Sequence, residues 1–199
     1  MIIPEEVLKA NNALFNNYSR NDYVFYEDDP PLFYYQVITG SVKMCSFSSD
    51  GQEFIQGIFN AGQSFGEPAI FGNFPFPSSA IALEDCVVAK LQAAVFLEIL
   101  KKDFELMKKF TYLMAERLRY KSMVLKEISS YNPEHIIMTM LKYIRKNQKP
   151  ESENKFHIPY TRQQIADMTG LRVETVIRTI KKLAREGRLE VTGHKIYLK

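Results

Sequence analysis

Residues 158–199 constrain the fold more tightly than any other part of the chain. They read IPYTRQQIADMTGLRVETVIRTIKKLAREGRLEVTGHKIYLK. Thr161 is a good N-cap, with Gln164 three positions later as in a capping box. Ile165, Ala166 and Met168 give the first helix one apolar face, and Gly170 ends it in a left-handed conformation at little cost. The second helix is predicted from near Val173 to Glu186. Val176, Ile180, Leu183 and Ala184 have helical spacing and should pack inward. Glu174, Ile177 and Arg178, at i, i+3 and i+4, project together from the opposite face. Lys181, Lys182 and Arg185 lie further along, and Gly187 is the stop signal. Two short apolar runs, 189–191 and 195–198, then flank Thr192-Gly193-His194, which predicts a hairpin with a glycine turn. Two helices joined by Thr169-Gly170-Leu171 and followed by a hairpin form the pattern of a winged helix-turn-helix. Such a module sets one helix into the DNA major groove, so DNA binding is the leading expectation.

Charge points the same way. From Lys155 to Lys199 there are ten Lys/Arg against four Asp/Glu, a net of +6; the remainder nets −3, which together give the overall +3. A localised basic field attracts phosphates and supplies the salt-dependent part of DNA affinity. A solvated lysine-rich helix face would look alike in composition, but not in helix-turn-helix spacing.

A chain of 199 residues fits one large domain or two small ones. Two cysteines, Cys45 and Cys86, cannot make a disulfide framework and suit a reducing compartment. The opening MIIPEEVLKANNALF has early acidic residues and no unbroken apolar run, unlike a signal peptide. No stretch approaches the roughly 20 apolar residues of a membrane helix. A soluble, cytoplasmic protein without a membrane partner is expected.

Residues 22–91 are rich in Phe, Tyr, Val and Ile. Turn residues cut them at short intervals: Asp28-Asp29-Pro30-Pro31, Gly40, Asp50-Gly51, Gly62, Gly66, Gly72 and residues 75–79. That predicts a small all-β sandwich or barrel. Residues 92–130 hold no Gly or Pro and read as helix. Phe104, Met107, Thr111, Met114, Leu118, Lys121, Leu125 and Ile128 recur at steps of three and four, an a/d seam over nearly four heptads. Such a stripe must be buried, either on its own β domain or on the same helix of a second subunit. The homodimer is favoured, because two-fold assembly is the commonest and palindromic DNA needs a two-fold protein. Asn132-Pro133-Glu134 reads as a hinge and a new helix start. That helix runs to about residue 146, and residues 147–155 form a polar loop. The fold class is therefore α+β. The domains expected are a β jelly-roll sensor over 1–100, a long dimerisation helix over 101–131, and a winged helix-turn-helix over 132–199.

The order of elements resembles the Crp/Fnr family of bacterial transcription regulators over nearly the whole chain. YYQVITGSVKM resembles that family's early strand pair, GQSFGEPAIF its glycine-glutamate turn, and TRQQIADMTGLRVETVIRTIKKLAREGRL its DNA-binding signature. The resemblance implies a cyclic-nucleotide-binding-like sensor. It makes Glu174, Ile177 and Arg178 base-reading residues: Arg bonds O6 and N7 of guanine, Glu accepts from the cytosine amino group, and Ile177 meets a thymine methyl. Thr161, Arg162, Arg172 and Thr175 would hold phosphates or position the helix. Val173 stands where the cAMP-responsive branch has an arginine. V-E-T-V-I-R resembles the Fnr-like branch instead, which implies a palindrome with TTGA-like half-sites. RNA polymerase is a further partner if the protein activates transcription.

The sensor departs from the resemblance. Gly66-Glu67 is present, but the family's Arg-Ser pair for a cyclic phosphate is matched by Pro77-Ser78-Ser79-Ala80, with Ser78 in the place of arginine. Two cysteines, neither near the start, do not fit a four-cysteine iron–sulfur cluster. All three histidines lie beyond the sensor, and Met44 and Cys45 read as strand residues rather than haem ligands. No cofactor is assigned. Glu67, Ser78, Ser79 and Tyr120 remain as candidate effector-pocket residues, and a small-molecule or redox signal at the sensor domain is the expected switch. There is no P-loop, no nucleophile elbow and no metal-ligand spacing, so no catalytic or metal-binding residue is expected. The alternatives are a jelly-roll enzyme and a dimeric ligand-binding adaptor whose helix-turn-helix packs on protein instead of DNA.

Overall fold

The turn-punctuated apolar runs pair, first strand with last, into two sheets. A computed structural model describes residues 1–49, 51–129, 132–147 and 155–198. Asp50 of the expected turn, residues 130–131 just before the expected hinge, most of the expected loop (148–154) and Lys199 lie outside the described residues, as does the side chain of the seam residue Ile128. The chain divides into two compact units, Met1–Ala115 and Glu116–Lys199.

In the first unit, α1 (Glu5–Ala10) precedes β1 (Leu14–Tyr18), β2 (Tyr23–Phe25), β3 (Phe33–Thr39), β4 (Ser41–Phe47), β5 (Glu53–Asn60) and β6 (Ser64–Phe65). Then come α2 (Glu67–Gly72), β7 (Ser79–Ala82), β8 (Cys86–Gln92) and α3 (Ala93–Lys102). The sheets run β1-β8-β3-β6 and β2-β7-β4-β5, and every pairing is antiparallel. The nesting of β1 with β8, β2 with β7, β3 with β6 and β4 with β5 is a jelly roll, as expected.

Period-two alternation explains why β3 is apolar along most of its length. Tyr35 and Val37 point into the roll and join Phe25, Phe65 and Phe76. Tyr34 faces the opposite way and packs with Phe96 and Phe110 beneath the helices. On that same face the buried Gln36 accepts from the Ile3 N–H and the Tyr34 hydroxyl, and donates to the Ile3 carbonyl. Gly40 joins β3 to β4 at φ +74°, and a Cβ there would come within 2.6 Å of the Asp85 carbonyl oxygen. Both its backbone angle and the space require glycine.

The run read as one helix is broken. Asp103, in an extended conformation, separates α3 from α4 (Phe104–Ser129). Its carboxylate accepts from the Leu106 N–H at 2.9 Å and caps the new helix. The expected seam proves accessible on this chain. Phe104, Leu118 and Leu125 are 73, 68 and 69% exposed, Thr111 and Lys121 are exposed, and Met107 and Met114 are half-buried. Leu106 and Phe110, off the seam, are buried in the first unit's core, and the seam residue Met107 packs against it.

The second unit contains α5 (Pro133–Asn147), β9 (Phe156–Ile158), α6 (Arg162–Thr169), α7 (Val173–Arg185), β10 (Leu189–Thr192) and β11 (Lys195–Leu198). Asn132 Oδ1 accepts from the Glu134 N–H at 3.0 Å, so the expected cap and proline start of α5 are present. Leu183, Ile180 and Val176 of α7 pack with Ile137 and Leu141 of α5 and Ile165 of α6. The wing has three strands, because β9 pairs with β11 beside the expected hairpin.

Candidate nucleic-acid interface and sensor site

Local chemistry sets the helix pair. The Thr161 hydroxyl accepts from the Gln164 N–H at 3.1 Å, and Gln164 Oε1 accepts from the Thr161 N–H at 2.9 Å. This reciprocal box fixes the start of α6. Gly170 closes that helix at φ +69°, so the chain turns at once into α7. At the far end of α7, the Gly187 N–H donates to the Ala184 carbonyl and the Arg188 N–H to the Leu183 carbonyl. That is a Schellman stop. Val176, Thr179, Ile180 and Leu183 bury one face of α7.

The other face is open. Arg172, Glu174, Arg178, Lys181 and Arg185 are exposed, while Thr175 and Ile177 are half-buried. Glu174 and Arg178 make no side-chain hydrogen bond or ion pair among the described residues, although opposite charges four positions apart on a helix can pair. Their polar atoms are available to an external ligand. The structure therefore brings the three base-reading candidates to one face.

The four positioning candidates divide. Arg172 and Thr175 stand at the start of α7, and the Thr161 hydroxyl is engaged in its cap. Arg162 donates to the His194 carbonyl at 3.2 Å, which ties α6 to the wing tip. Lys182 does not join the open face. It pairs with Glu134 at the start of α5, which Arg188 also approaches at 3.9 Å. Sequence spacing offers Lys182 the acidic neighbour Glu186, 3.9 Å away at i+4; only the tertiary arrangement shows its partner Glu134.

Three of the four sensor candidates lie on or beside α2 and β7. Glu67 is fully buried, and its carboxylate accepts from the Ser64 hydroxyl. Ser79 accepts from the Glu27 N–H at 2.9 Å. Ser78 is fully buried, and its hydroxyl has no hydrogen-bond partner among the described residues. Tyr120 belongs to the second unit. Its ring stacks on Tyr143 of α5 at 3.7 Å and packs on the core of the second unit, and burial pushes its phenol pKa up.

Beside Tyr120, Glu116 accepts from Arg119 and from Lys146. These bonds hold its carboxyl down at about 2. No group of three His, Cys, Asp or Glu among the described residues is placed to hold a metal ion. The two buried cysteines are poor nucleophiles: burial and then Glu53 push the Cys45 thiol up to about 12, and burial raises Cys86.

Two family models match, a cyclic nucleotide-binding domain over residues 15–103 and a Crp-like helix-turn-helix domain over residues 134–199. The chain belongs to the Crp/Fnr family. Among its relatives is the cAMP-activated global transcriptional regulator Vfr of Pseudomonas aeruginosa, 28% identical over 88% of this chain and 85% of that one. The fumarate and nitrate reduction regulatory protein of Escherichia coli is 27% identical over 80% of this chain and 64% of its own. In fold, the chain is similar to the c-di-GMP responsive global regulator CLP of Xanthomonas campestris. The TM-score there is 0.76 at 22% identity, covering 98% of this chain and 96% of that one.

Like other Crp/Fnr members, the protein is a DNA-binding transcription regulator and not an enzyme. No helix among the described residues is long and apolar enough to cross a membrane. At the sensor turn, Ser78 offers a buried neutral hydroxyl and no cation.

Proposed function

We propose that the protein binds a palindromic promoter site as a homodimer, with one α7 in each of two successive major grooves. Half-sites about 34 Å apart would meet the two recognition helices. Arg178 reads guanine, Glu174 accepts from a cytosine amino group, and Ile177 meets a thymine methyl. Arg172 and Thr175 contact phosphates, and Arg162 and Thr161 hold the helix pair and wing in register. TTGA-like half-sites are the expected target, and RNA polymerase is the further partner at activated promoters. Leu118 and Leu125 on the open stripe of α4 support the two-fold pairing. A small-molecule signal meeting Glu67, Ser78 and Ser79 would bias the arrangement of the dimer and so the spacing of its recognition helices. Buried, high-pKa thiols disfavour a cysteine-based redox signal.

The open face of α7, carrying unpaired Glu174 and Arg178, is the observation that carries this reading. Fluorescence anisotropy with a TTGA-type palindromic duplex tests it. Arg178→Ala is expected to cost about 1–3 kcal/mol of specific affinity per half-site. Unchanged affinity would rule out base readout by this helix and favour a protein-binding role.

A further inference from the structure

We infer that this sensor domain does not take a cyclic nucleotide, although the family model matching residues 15–103 is named for one. The phosphate of such a ligand is a permanent anion. Burying it calls for a cation or for several N–H donors aimed at it. The eight strands of the roll carry two cationic side chains in all, Lys43 and Lys90. Lys43 is paired with Glu53, and Lys90 lies over the Phe33 ring, 4.0 Å from its centroid. Between them, residues 44–89 contain no Lys, Arg or His and five Asp or Glu.

Space opposes the ligand as charge does. Phe25 and Phe76 stack at 3.8 Å between the sheets, and Tyr35 closes the cluster, 5.1 Å from Phe25 and 5.7 Å from Phe65. The packing reaches the glycine-glutamate turn, since a Cβ on Gly66 would come within 2.9 Å of the Phe76 ring. Ser78 offers a buried neutral hydroxyl, which suits an uncharged acceptor and leaves an anion uncompensated. Missing a charge-assisted bidentate partner weakens phosphate binding by on the order of a hundredfold.

The test is calorimetric titration of the full chain with cAMP and with cGMP up to about 1 mM. No saturable heat is expected, and affinity for the palindromic duplex should stay within about twofold when either nucleotide is added. Saturable binding of one nucleotide per chain overturns the inference, as does a nucleotide-dependent gain of about tenfold in duplex affinity. The inference concerns the sensor and stands apart from the DNA reading. A chain that bound no duplex would sink that reading and leave the calorimetry to decide this one.

Discussion

Arg178 projects from α7 beside Glu174, and neither side chain has a hydrogen-bond or ion-pair partner among the described residues. A guanidinium fork matches O6 and N7 of guanine, and a lysine cannot reproduce its two parallel bonds. Arg178→Lys is therefore expected to recover non-specific binding but not discrimination at the contacted base pair. Anisotropy with duplexes substituted symmetrically at that pair checks this: full rescue of discrimination by lysine would mean Arg178 serves only as a charge. Thr161 acts at the same scale through local structure. Thr161→Ala removes one half of the capping box and should destabilise the second unit by about 1 kcal/mol, read from urea unfolding.

At the scale of elements, α4 presents two different faces. Leu106 and Phe110 enter the first unit's core, while Leu118 and Leu125 stand open. In a monomer, Leu118→Asp would replace an exposed leucine and change little. In a dimer sealed by this stripe it buries two charges. Sedimentation velocity should show Leu118→Asp as a folded monomer with lost palindrome affinity. A dimer unaffected by that substitution would place the interface elsewhere.

Where α4 meets α5, the bonds from Arg119 and then Lys146 depress the Glu116 carboxyl from 4.5 to about 2. A depressed folded-state value contributes stability above the unfolded value, and that contribution is lost as pH falls from about 4.5 toward 2. The melting-temperature difference between wild type and Glu116→Gln should accordingly shrink across that window. A gap independent of pH would show that charge at Glu116 is not what tightens this contact. Tyr120, stacked on Tyr143 one turn further, reinforces it by about 0.5–1.5 kcal/mol.

At the scale of the whole molecule, the basic second unit should make DNA affinity fall steeply with salt. Replacing Arg172, the proposed phosphate contact, by alanine in both subunits is expected to lower the slope of log K against log salt by about 2, without altering base preference. A change in base preference would assign Arg172 to readout instead.

The helix-turn-helix was legible in the chain itself. Its caps at Thr161 and Gly187, its turn at Gly170 and the inward face of α7 are local features, decided within a few residues by hydrogen bonding, backbone freedom and helical period. The β class of the first unit and the α4 stripe were legible for the same reason. Pairing at a distance was not. That β1 meets β8, that β9 adds a third strand to the wing, that Lys182 turns to Glu134 and that Tyr120 stacks on Tyr143 depend on which surfaces bury each other best. The break at Asp103, with no Gly or Pro to mark it, is capped locally by that residue's carboxylate, and across it Phe96 and Phe110 pack together against Tyr34. Periodicity determines which face of an element is apolar; only the packed core decides what that face is buried against.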